Sequence, residues 1–393
     1  MKHTILIFTL AIILRLIVII ELLQSQFLHG AGGSATDMLT YWLQATDNNW
    51  PPREAFYFQP LMPYYFRLSF QLFGQTPLAP PYFNALLGSL TCVLLYWAGQ
   101  NLFGKTVGLL AGYGWAIYWE SVFWVAILLD VTTSTFSIIF VLWVLTKSPN
   151  TLLTVLGGLV LALGGLGRGQ ILPIGFGVLL AYAWQGQLRQ AKLFVLAVAI
   201  VLLPIVTRNC YYGSCGLNTA TMDNLWIGNH PDAPGYFVNL EMYSPDWAGY
   251  ILKNPYIFLE VMFNKFKCWL IFGSYNEPSN INLYDYSKPS ILLAILPGYY
   301  ALASLLILLL GHSFLIDDFA IFKYRKLAYL AVLYVPYTVA TLIFFVTVRY
   351  RVPVMPLVLL FVAFLAKEKM STLTNYLYPL KTLCGIPQPR LEL

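Results

Sequence analysis

The sequence predicts an all-α polytopic membrane protein of about ten transmembrane helices, and three observations lead to this fold class. Hydrophobic residues make up 59% of the 393 positions, aromatic residues 16% and charged residues only 10%. Such a composition excludes a soluble domain. Apolar runs near the length that crosses a bilayer recur along the chain, and short basic loops separate them, as the positive-inside rule requires.

Ten apolar segments are candidates to span the bilayer. They cover roughly residues 4–24, 82–102, 106–119, 124–146, 151–167, 170–186, 190–207, 290–311, 327–347 and 352–366. The first run is too long for the apolar region of a signal peptide and has no clear cleavage site, so we interpret it as a retained first helix.

Basic residues predict the orientation of these segments. With the N-terminus inside, every short loop predicted to be cytoplasmic is basic. Together with Lys2, these loops and the C-terminal tail hold 12 of the 23 Lys and Arg residues. The net charge of +6 therefore needs no nucleic acid to explain it. Besides Lys2, the twelve basic residues predicted to be cytoplasmic are Lys105, Lys147, Arg189, Lys192, Lys323, Arg325, Lys326, Lys367, Lys369, Lys381 and Arg390.

Two long segments fall on the opposite side, so the chemistry is expected there. We predict a single membrane domain over 1–393, with extracytoplasmic loops at about 25–81 and 208–289 and interfacial helices within both loops. In the second loop, 247–272 is an amphipathic run with interfacial composition, and Lys265 and two other lysines lie in it among aromatic residues. We expect its apolar and aromatic residues on one side and its basic residues, including Lys265, on the other. Cys210 and Cys215 lie five apart in this loop, and a local disulfide is one alternative for them in an oxidising compartment.

The first loop contains an acid next to a predicted short helix. If 38–46 is helical, Asp37 stands at its start, and Tyr41 and Ala45 follow on the same face. Asp37 is then either a reactive carboxylate, an N-cap that accepts free backbone N–H groups, or both. The proline-rich and aromatic stretch 56–66, which includes Gln59, cannot continue into the bilayer as an uninterrupted helix, so we expect it along the membrane surface.

Arginines that interrupt apolar sequence need either an internal carboxylate or a bound anion. Arg168 lies in a glycine-rich break, and Arg349 and Arg351 lie in a short break before a proline. Two guanidinium groups so placed favour a phosphate near the surface, although snorkelling to the interface is the alternative. Arg15, inside the first helix, favours a structural ion pair, with Glu21 as a candidate partner. The other candidate internal acids are Glu120 and Asp130.

Several short motifs, taken in order, give the chain a resemblance to a known family. They are Asp37-xxx-Tyr41-xxx-Ala45, Gln59-Pro60-Leu61, Leu72-Phe73-Gly74, Asn84 to Gly88, Leu102-Phe103-Gly104, Gly164 to Arg168, Arg208-Asn209, Ile227-Gly228-Asn229 and Arg349 to Pro356. On these motifs the chain resembles the polyprenyl-phosphate-sugar-dependent glycosyltransferases of the GT-C fold, in the branch with the dolichyl-phosphate-mannose protein mannosyltransferases and the bacterial aminoarabinose transferases.

The resemblance implies an inverting glycosyltransferase whose first-loop acid lies near the sugar and whose basic residues hold the lipid phosphate. Asp37 matches the family's first acid, whereas Met38 stands where many members have a second acid. A divalent metal therefore stays open as an alternative that the sequence does not support, and no other cofactor is expected. The candidate catalytic residues are Asp37 and Glu120, and the candidate substrate-binding residues are Tyr41, Gln59, Arg168, Arg349 and Arg351.

The expected partners are a polyprenyl-phosphate sugar donor, a hydroxyl acceptor on a glycan, lipid or protein, and the lipid bilayer, with no nucleic acid. The expected location is a bacterial inner membrane, with the active site facing outward. A transporter or flippase of a lipid-linked or anionic substrate explains buried arginines equally well. It explains less well the polar, aromatic first loop and the large outer loops. A structural subunit of a membrane complex is the third alternative.

Overall fold

The computed structural model describes residues 2–23, 37–236, 247–270 and 325–368. Regular structure within these residues is helical, apart from one isolated parallel β-bridge between Tyr236 and Val346. The first half comprises α1 (Lys2–Leu23), α2 (Asp37–Thr46), α3 (Leu61–Phe73), α4 (Ala79–Phe103), α5 (Lys105–Ile117), α6 (Trp119–Phe123), α7 (Val131–Leu145) and α8 (Thr151–Gly167). The second half comprises α9 (Ile174–Trp184), α10 (Leu188–Tyr211), α11 (Ala220–Asn229), α12 (Trp247–Lys253), α13 (Pro255–Leu270), α14 (Ala328–Ile343), α15 (Val348–Arg351) and α16 (355–368).

Nine of the ten predicted spanning segments contain a helix, and the remaining one, 290–311, lies outside the described residues. Among the described residues, four stretches are long and apolar enough to cross a membrane, and four shorter helical stretches are also apolar. The multi-pass, all-α class is thus confirmed, whereas the number of ten spans stays a prediction. The four long stretches are Lys2–Glu21, Ala79–Phe103, Leu188–Tyr211 and Arg349–Glu368.

The predicted helix over 124–146 begins later than expected, at Val131. The residues before it form α6, a 3-10 helix (Trp124–Ala126) and a turn, all buried. Asn84 of α4 donates its side-chain amide to the carbonyl of Val125 at 3.1 Å. Because a side chain satisfies this backbone group, the apolar segment can stay irregular inside the protein.

Helix α4 lies at the centre of the helical bundle and packs against α1, α5 and α7. Its approach to α5 depends on Gly108, where an added Cβ would lie 2.5 Å from the carbonyl oxygen of Tyr96. A similar contact joins α9 to α14, since a Cβ on Gly177 would lie 1.7 Å from the oxygen of Val332. Glycine thus permits backbone contacts that any side chain would prevent.

The predicted inner loops meet at one end of the helices. Asn101, near the end of α4, donates to the hydroxyl of Thr146 at 2.9 Å, and Lys367 donates to the carbonyl of Phe103 at 3.1 Å. These contacts bring the neighbourhoods of Lys105, Lys147 and Lys367 together. Helices α7 and α8 have their other ends at Asp130 and Arg168, which therefore lie at the opposite end of the bundle.

Helix α13 corresponds to the predicted amphipathic run, and Tyr256, Leu259 and Phe263 are exposed along one side of it. The expectation that Lys265 lies on the basic, solvated side is wrong. Its side chain is fully buried, and Nζ donates to Oδ1 of Asn229 at 2.7 Å. In the same loop, Cys210 and Cys215 form a disulfide.

Candidate functional site

The acid that the sequence singled out in the first loop contacts an arginine from the far end of the chain. Asp37 is the first residue of α2, and its Oδ2 accepts from Nη2 of Arg349 in α15 at 3.1 Å. Both side chains are partly open to solvent, with 36% of Asp37 and 23% of Arg349 exposed. A carboxylate and a guanidinium are therefore available together at the end of the bundle opposite the basic loops.

A second carboxylate–arginine pair is buried beside the first. Nε and Nη2 of Arg168 donate to the two oxygens of Asp130 at 2.5 and 2.8 Å. The exposed fractions of these side chains are only 4% and 9%. The sequence named Asp130 among the acids able to balance a buried arginine, and the structure assigns it to Arg168. This two-pronged geometry fixes the guanidinium plane as well as its charge.

Tyr350 joins the two pairs into one group. Cζ of Arg168 lies 4.1 Å from the centre of the Tyr350 ring, and Cζ of Arg349 lies 5.3 Å from it. The backbone oxygen of Tyr350 accepts from the hydroxyl of Tyr337 of α14 at 2.7 Å. We call the five residues Asp37, Asp130, Arg168, Arg349 and Tyr350 the arginine–carboxylate cluster.

Tyr41 lies at the inner side of this cluster. It is one turn after Asp37 in α2, and it is buried together with Met38 and Ala45, as the predicted helix face required. Burial raises the pKa of its phenol, and the carboxylates of Asp130 and Asp37 raise this pKa further. The charges of Arg349 and Arg168 lower it by less. Tyr41 therefore keeps its proton at physiological pH and can act as a hydrogen-bond donor.

The glycine-rich break 164–170 holds Arg168 against the first loop. A Cβ on Gly167 would lie 2.9 Å from Leu61 and 3.6 Å from Cβ of Asp130. A Cβ on Gly169 would lie 3.5 Å from Nε2 of Gln59. Small residues here let the loop and the cluster approach each other, so the structure brings Gln59 next to Gly169, the residue after Arg168.

Glu120 and Arg351 belong to a second group of side chains, whose hydrogen bonds do not include Asp37. Glu120 is 4% exposed and accepts from the hydroxyl of Tyr118 at 2.7 Å. Burial raises the pKa of Glu120, while the charge of Arg351 and the Tyr118 bond oppose this shift. Arg351 is 1% exposed, and its Nη1 donates to the carbonyls of Cys268 and Trp269 at 2.9 and 3.2 Å. This second group is enclosed, unlike Asp37 and Arg349.

Arg208 and Asn209 fasten the first loop to the second. Oδ1 of Asn209 accepts from the backbone N–H of Phe56 at 3.2 Å, and its Nδ2 donates to the carbonyl of Gly216 at 2.9 Å. Arg208 donates to the carbonyl of Pro52 and lies over the Phe56 ring at 3.9 Å. The sequence marked this dipeptide as a basic interruption, and the structure shows it as a clamp between loops.

Asn229 and Lys265 hold the segment that precedes Arg349. Asn229 donates to the carbonyl of Ile343 at 2.9 Å, and Lys265 donates to Asn229 as well as to the Ile343 carbonyl at 3.3 Å. Gly228 allows the close approach, because a Cβ there would lie 2.0 Å from the oxygen of Phe344. Sequence reasoning did not find this role for Lys265, since its spacing resembles that of the neighbouring surface lysines.

The carboxylates of the cluster do not present a set of metal ligands. Asp37 and Asp130 are each neutralised by an arginine, and a cation would have to displace those guanidinium groups. Within the described part of the chain, no group of three or more His, Cys, Asp or Glu side chains is placed to hold a metal ion.

Comparison with solved structures finds a similarity to the archaeal oligosaccharyltransferase AglB from Archaeoglobus fulgidus, in complex with an inhibitory peptide and a dolichol-phosphate. It covers 98% of this chain and 52% of the archaeal chain, with a TM-score of 0.54 and 13% sequence identity. This chain thus spans about half the length of that protein. No protein-family model and no curated protein sequence matches the chain. The predicted GT-C fold is confirmed.

Proposed function

We propose that this chain is an inverting membrane glycosyltransferase, which moves a sugar from a polyprenyl-phosphate donor to a hydroxyl acceptor on the extracytoplasmic side of the membrane. The observation that carries the proposal is the contact between Asp37 and Arg349 at 3.1 Å. The reaction needs a base for the acceptor and fixed positive charge for the departing phosphate, and the solvent-accessible part of the cluster contains one of each.

Asp37 is the proposed general base. The acceptor hydroxyl oxygen attacks the anomeric carbon from the face opposite the phosphate, and its proton passes to the Asp37 carboxylate. The new carbon–oxygen bond forms while the bond from the anomeric carbon to the phosphate oxygen breaks, and the electron pair of that bond remains on the phosphate. A phosphate is a good leaving group without protonation, so one base and fixed positive charge are sufficient.

Arg349 is the proposed first contact for the donor phosphate. It is more exposed than the other two candidates, with 23% of its side chain open against 4% for Arg168 and 1% for Arg351. Nη1 of Arg168 is buried without a hydrogen-bond partner among the described residues. We assign Arg168 and Arg351 to the positive potential behind the phosphate, and Tyr41 and Gln59 to hydrogen bonds with the substrates.

Three further observations support the location and the donor class. The cluster lies at the end of the bundle opposite the basic loops, which are predicted to be cytoplasmic, and the Cys210–Cys215 disulfide is typical of an oxidising compartment. The archaeal protein of similar fold was solved with a dolichol-phosphate, a lipid phosphate. On this basis the proposed location is a bacterial inner membrane, with the site facing outward.

The proposal is tested by turnover with purified full-length protein in vesicles. Each of several polyprenyl-phosphate sugars, labelled in the sugar, is supplied with extracts of cell-envelope glycans, lipids and proteins. A transferase releases polyprenyl phosphate and transfers the label to an acceptor. If the protein instead moves the intact donor between leaflets without breaking the sugar–phosphate bond, it is a flippase and the proposal is wrong.

The phosphate assignment has its own test. Arg349→Gln should raise the donor concentration needed for half-maximal turnover roughly ten- to hundred-fold, because a hydrogen bond to a charged group contributes about 1.5–3 kcal/mol. Arg53→Gln is the control, since Arg53 is an exposed arginine of the first loop. Equal donor dependence in both folded variants would remove Arg349 from the phosphate site.

A further inference from the structure

A second arginine site lies inside the bundle, away from the cluster. Arg15 belongs to α1, within the candidate membrane span Lys2–Glu21, and its side chain is fully buried. Its Nη1 donates to the carbonyl of Ala11 at 3.0 Å. Its Nη2 donates to the hydroxyl of Ser121 at 2.9 Å and contacts Sγ of Cys92 at 3.6 Å.

All of these partners are electrically neutral. None of the three ion pairs found among the described residues includes Arg15, so the ion pair with Glu21 suggested by the sequence is not formed there. The nearest acid in sequence to Ser121, Glu120, instead accepts from Tyr118 and is influenced by the charge of Arg351. A full positive charge is thus enclosed among apolar helices, an arrangement that costs several kcal/mol unless the charge is balanced.

A further donor of this guanidinium lies beside a small cavity. Nε of Arg15 and the indole Nε1 of Trp124 are both buried, and neither has a hydrogen-bond partner among the described residues. Both residues line a cavity of about 10 Å³ together with Ser121, Thr132 and Thr135. Gly88 lies close against this guanidinium and also lines the cavity, and a Cβ on that residue would lie 2.8 Å from Nε.

The size and the donor set limit what the cavity can hold. A volume of this order accepts one water-sized ligand. Nε of Arg15 and Nε1 of Trp124 can only donate hydrogen bonds. A water molecule would accept both bonds but would leave the charge unbalanced, whereas a halide ion accepts both bonds and also neutralises the guanidinium.

We propose that Arg15 and Trp124 form a buried binding site for a small monovalent anion, chloride under cellular conditions, which acts as the counter-ion of Arg15 between α1, α4 and the segment before α7. This site is independent of the proposed transferase reaction, so its test does not depend on activity.

The test uses the purified full-length protein in detergent. Its thermal unfolding midpoint is measured in sodium chloride and in sodium gluconate at equal ionic strength, since gluconate is too large for the cavity. We expect the midpoint to be higher in chloride by roughly 2 °C or more, because a ligand that binds only the folded state stabilises it. Crystals grown in sodium bromide should show an anomalous peak within hydrogen-bonding distance of Nε of Arg15 and Nε1 of Trp124.

Trp124→Phe keeps the aromatic packing and removes one donor, so the half-saturating chloride concentration should rise roughly ten- to hundred-fold. Arg53→Gln, an exposed arginine variant, should respond to chloride like the unmodified protein. If the midpoint is the same in both salts and the crystals show a water molecule without an anomalous signal, the anion site does not exist. An equal chloride response in Trp124→Phe would also overturn the assignment of the site to this cavity.

Discussion

At the scale of the residue, Asp37 has two roles to reconcile. The sequence left open whether it is a helix cap or a reactive carboxylate, and the structure shows its oxygen bonded to Arg349. An asparagine can still accept a hydrogen bond from Arg349 and still cap a helix, but it cannot take a proton from an acceptor hydroxyl. The two roles can therefore be separated by one substitution.

Asp37→Asn should lower turnover of a polyprenyl-phosphate sugar by about 10²-fold or more while membrane expression stays normal, because general-base catalysis is lost. Asp47→Asn is the matched control, since Asp47 is exposed and its side chain accepts from the nearby backbone N–H of Asn49 at 2.8 Å. Near-full activity of Asp37→Asn, with loss of activity in Glu120→Gln, would exchange the roles proposed for these two acids.

Lys265 makes stability depend on pH. Burial lowers the pKa of its ammonium group from 10.5 to about 7. Between these two values the unfolded chain binds a proton that the folded protein does not, so the free energy of unfolding rises with pH across this window. We therefore expect the midpoint of thermal unfolding, relative to that of Lys265→Met, to increase from pH 7 to pH 9.

Lys267→Met provides the comparison for Lys265, because Lys267 lies two residues away on the exposed side of α13. The difference between its midpoint and that of the unmodified protein should not change with pH. If the difference in midpoint between Lys265→Met and the unmodified protein also stays constant from pH 7 to pH 9, Lys265 keeps its ordinary pKa in the folded protein.

The sequence predicted that charged residues within or beside apolar runs need partners. An acid in the first loop and arginines within apolar runs need partners wherever they lie, and Asp37, Asp130, Arg168 and Arg349 form ion pairs. Lys265 was placed on the wrong face, because its spacing among surface lysines carries no information about Asn229, the residue it bonds.

At the scale of the element, the junction between α11 and the end of α14 positions α15. Gly228→Ala would place a Cβ 2.0 Å from the oxygen of Phe344, so one of the two segments must move. Overpacking of this kind typically costs about 1–3 kcal/mol. We expect a lower midpoint of thermal unfolding and weaker donor binding, because Arg349 follows this junction.

Gly216→Ala is the control for this substitution. Its added Cβ would lie 3.5 Å from the nearest atom, the carbonyl oxygen of Asn218, which is ordinary contact. Thermal unfolding and the donor concentration at half-maximal turnover are measured for both variants. Equal results for the two would show that the close contact at Gly228 does not constrain the position of α15.

Most helices were predictable because apolar runs of spanning length have few alternatives in a membrane protein. The segment 124–130 is the exception, because it is apolar and buried but mostly not helical. Hydrophobicity reports burial and does not report backbone conformation. The side-chain amide of Asn84 in α4 donates to a backbone carbonyl of this segment, and this contact shows why the segment does not need to be helical.

At the scale of the whole molecule, the basic loops and the cluster lie at opposite ends of the bundle. If the basic end is cytoplasmic, a cysteine at Asp232, whose side chain is 80% exposed, should react with an impermeant thiol reagent on intact cells. A cysteine at Lys147, which is also exposed, should react only after the membrane is opened. The reverse pattern would overturn the orientation and the outward-facing site.

The long-range arrangement was beyond the sequence. Asp37 and Arg349 are separated by 312 positions, and Asp130 and Arg168 by 38, and no periodicity or composition determines which acid meets which arginine. The predicted orientation placed Asp37, Arg168 and Arg349 on the outer side of the membrane. The pairing itself depends on packing at glycines such as Gly167 and Gly228, whose close contacts are visible only in three dimensions.

The Asp37–Arg349 ion pair has a consequence for the order of events in a catalytic cycle. While the pair is intact, the carboxylate that should take the acceptor's proton is held by Arg349. A donor phosphate that attracts Arg349 would release this carboxylate for the acceptor hydroxyl. The base of the resting protein would then stay engaged, and the arrival of the donor lipid would switch the reactivity on.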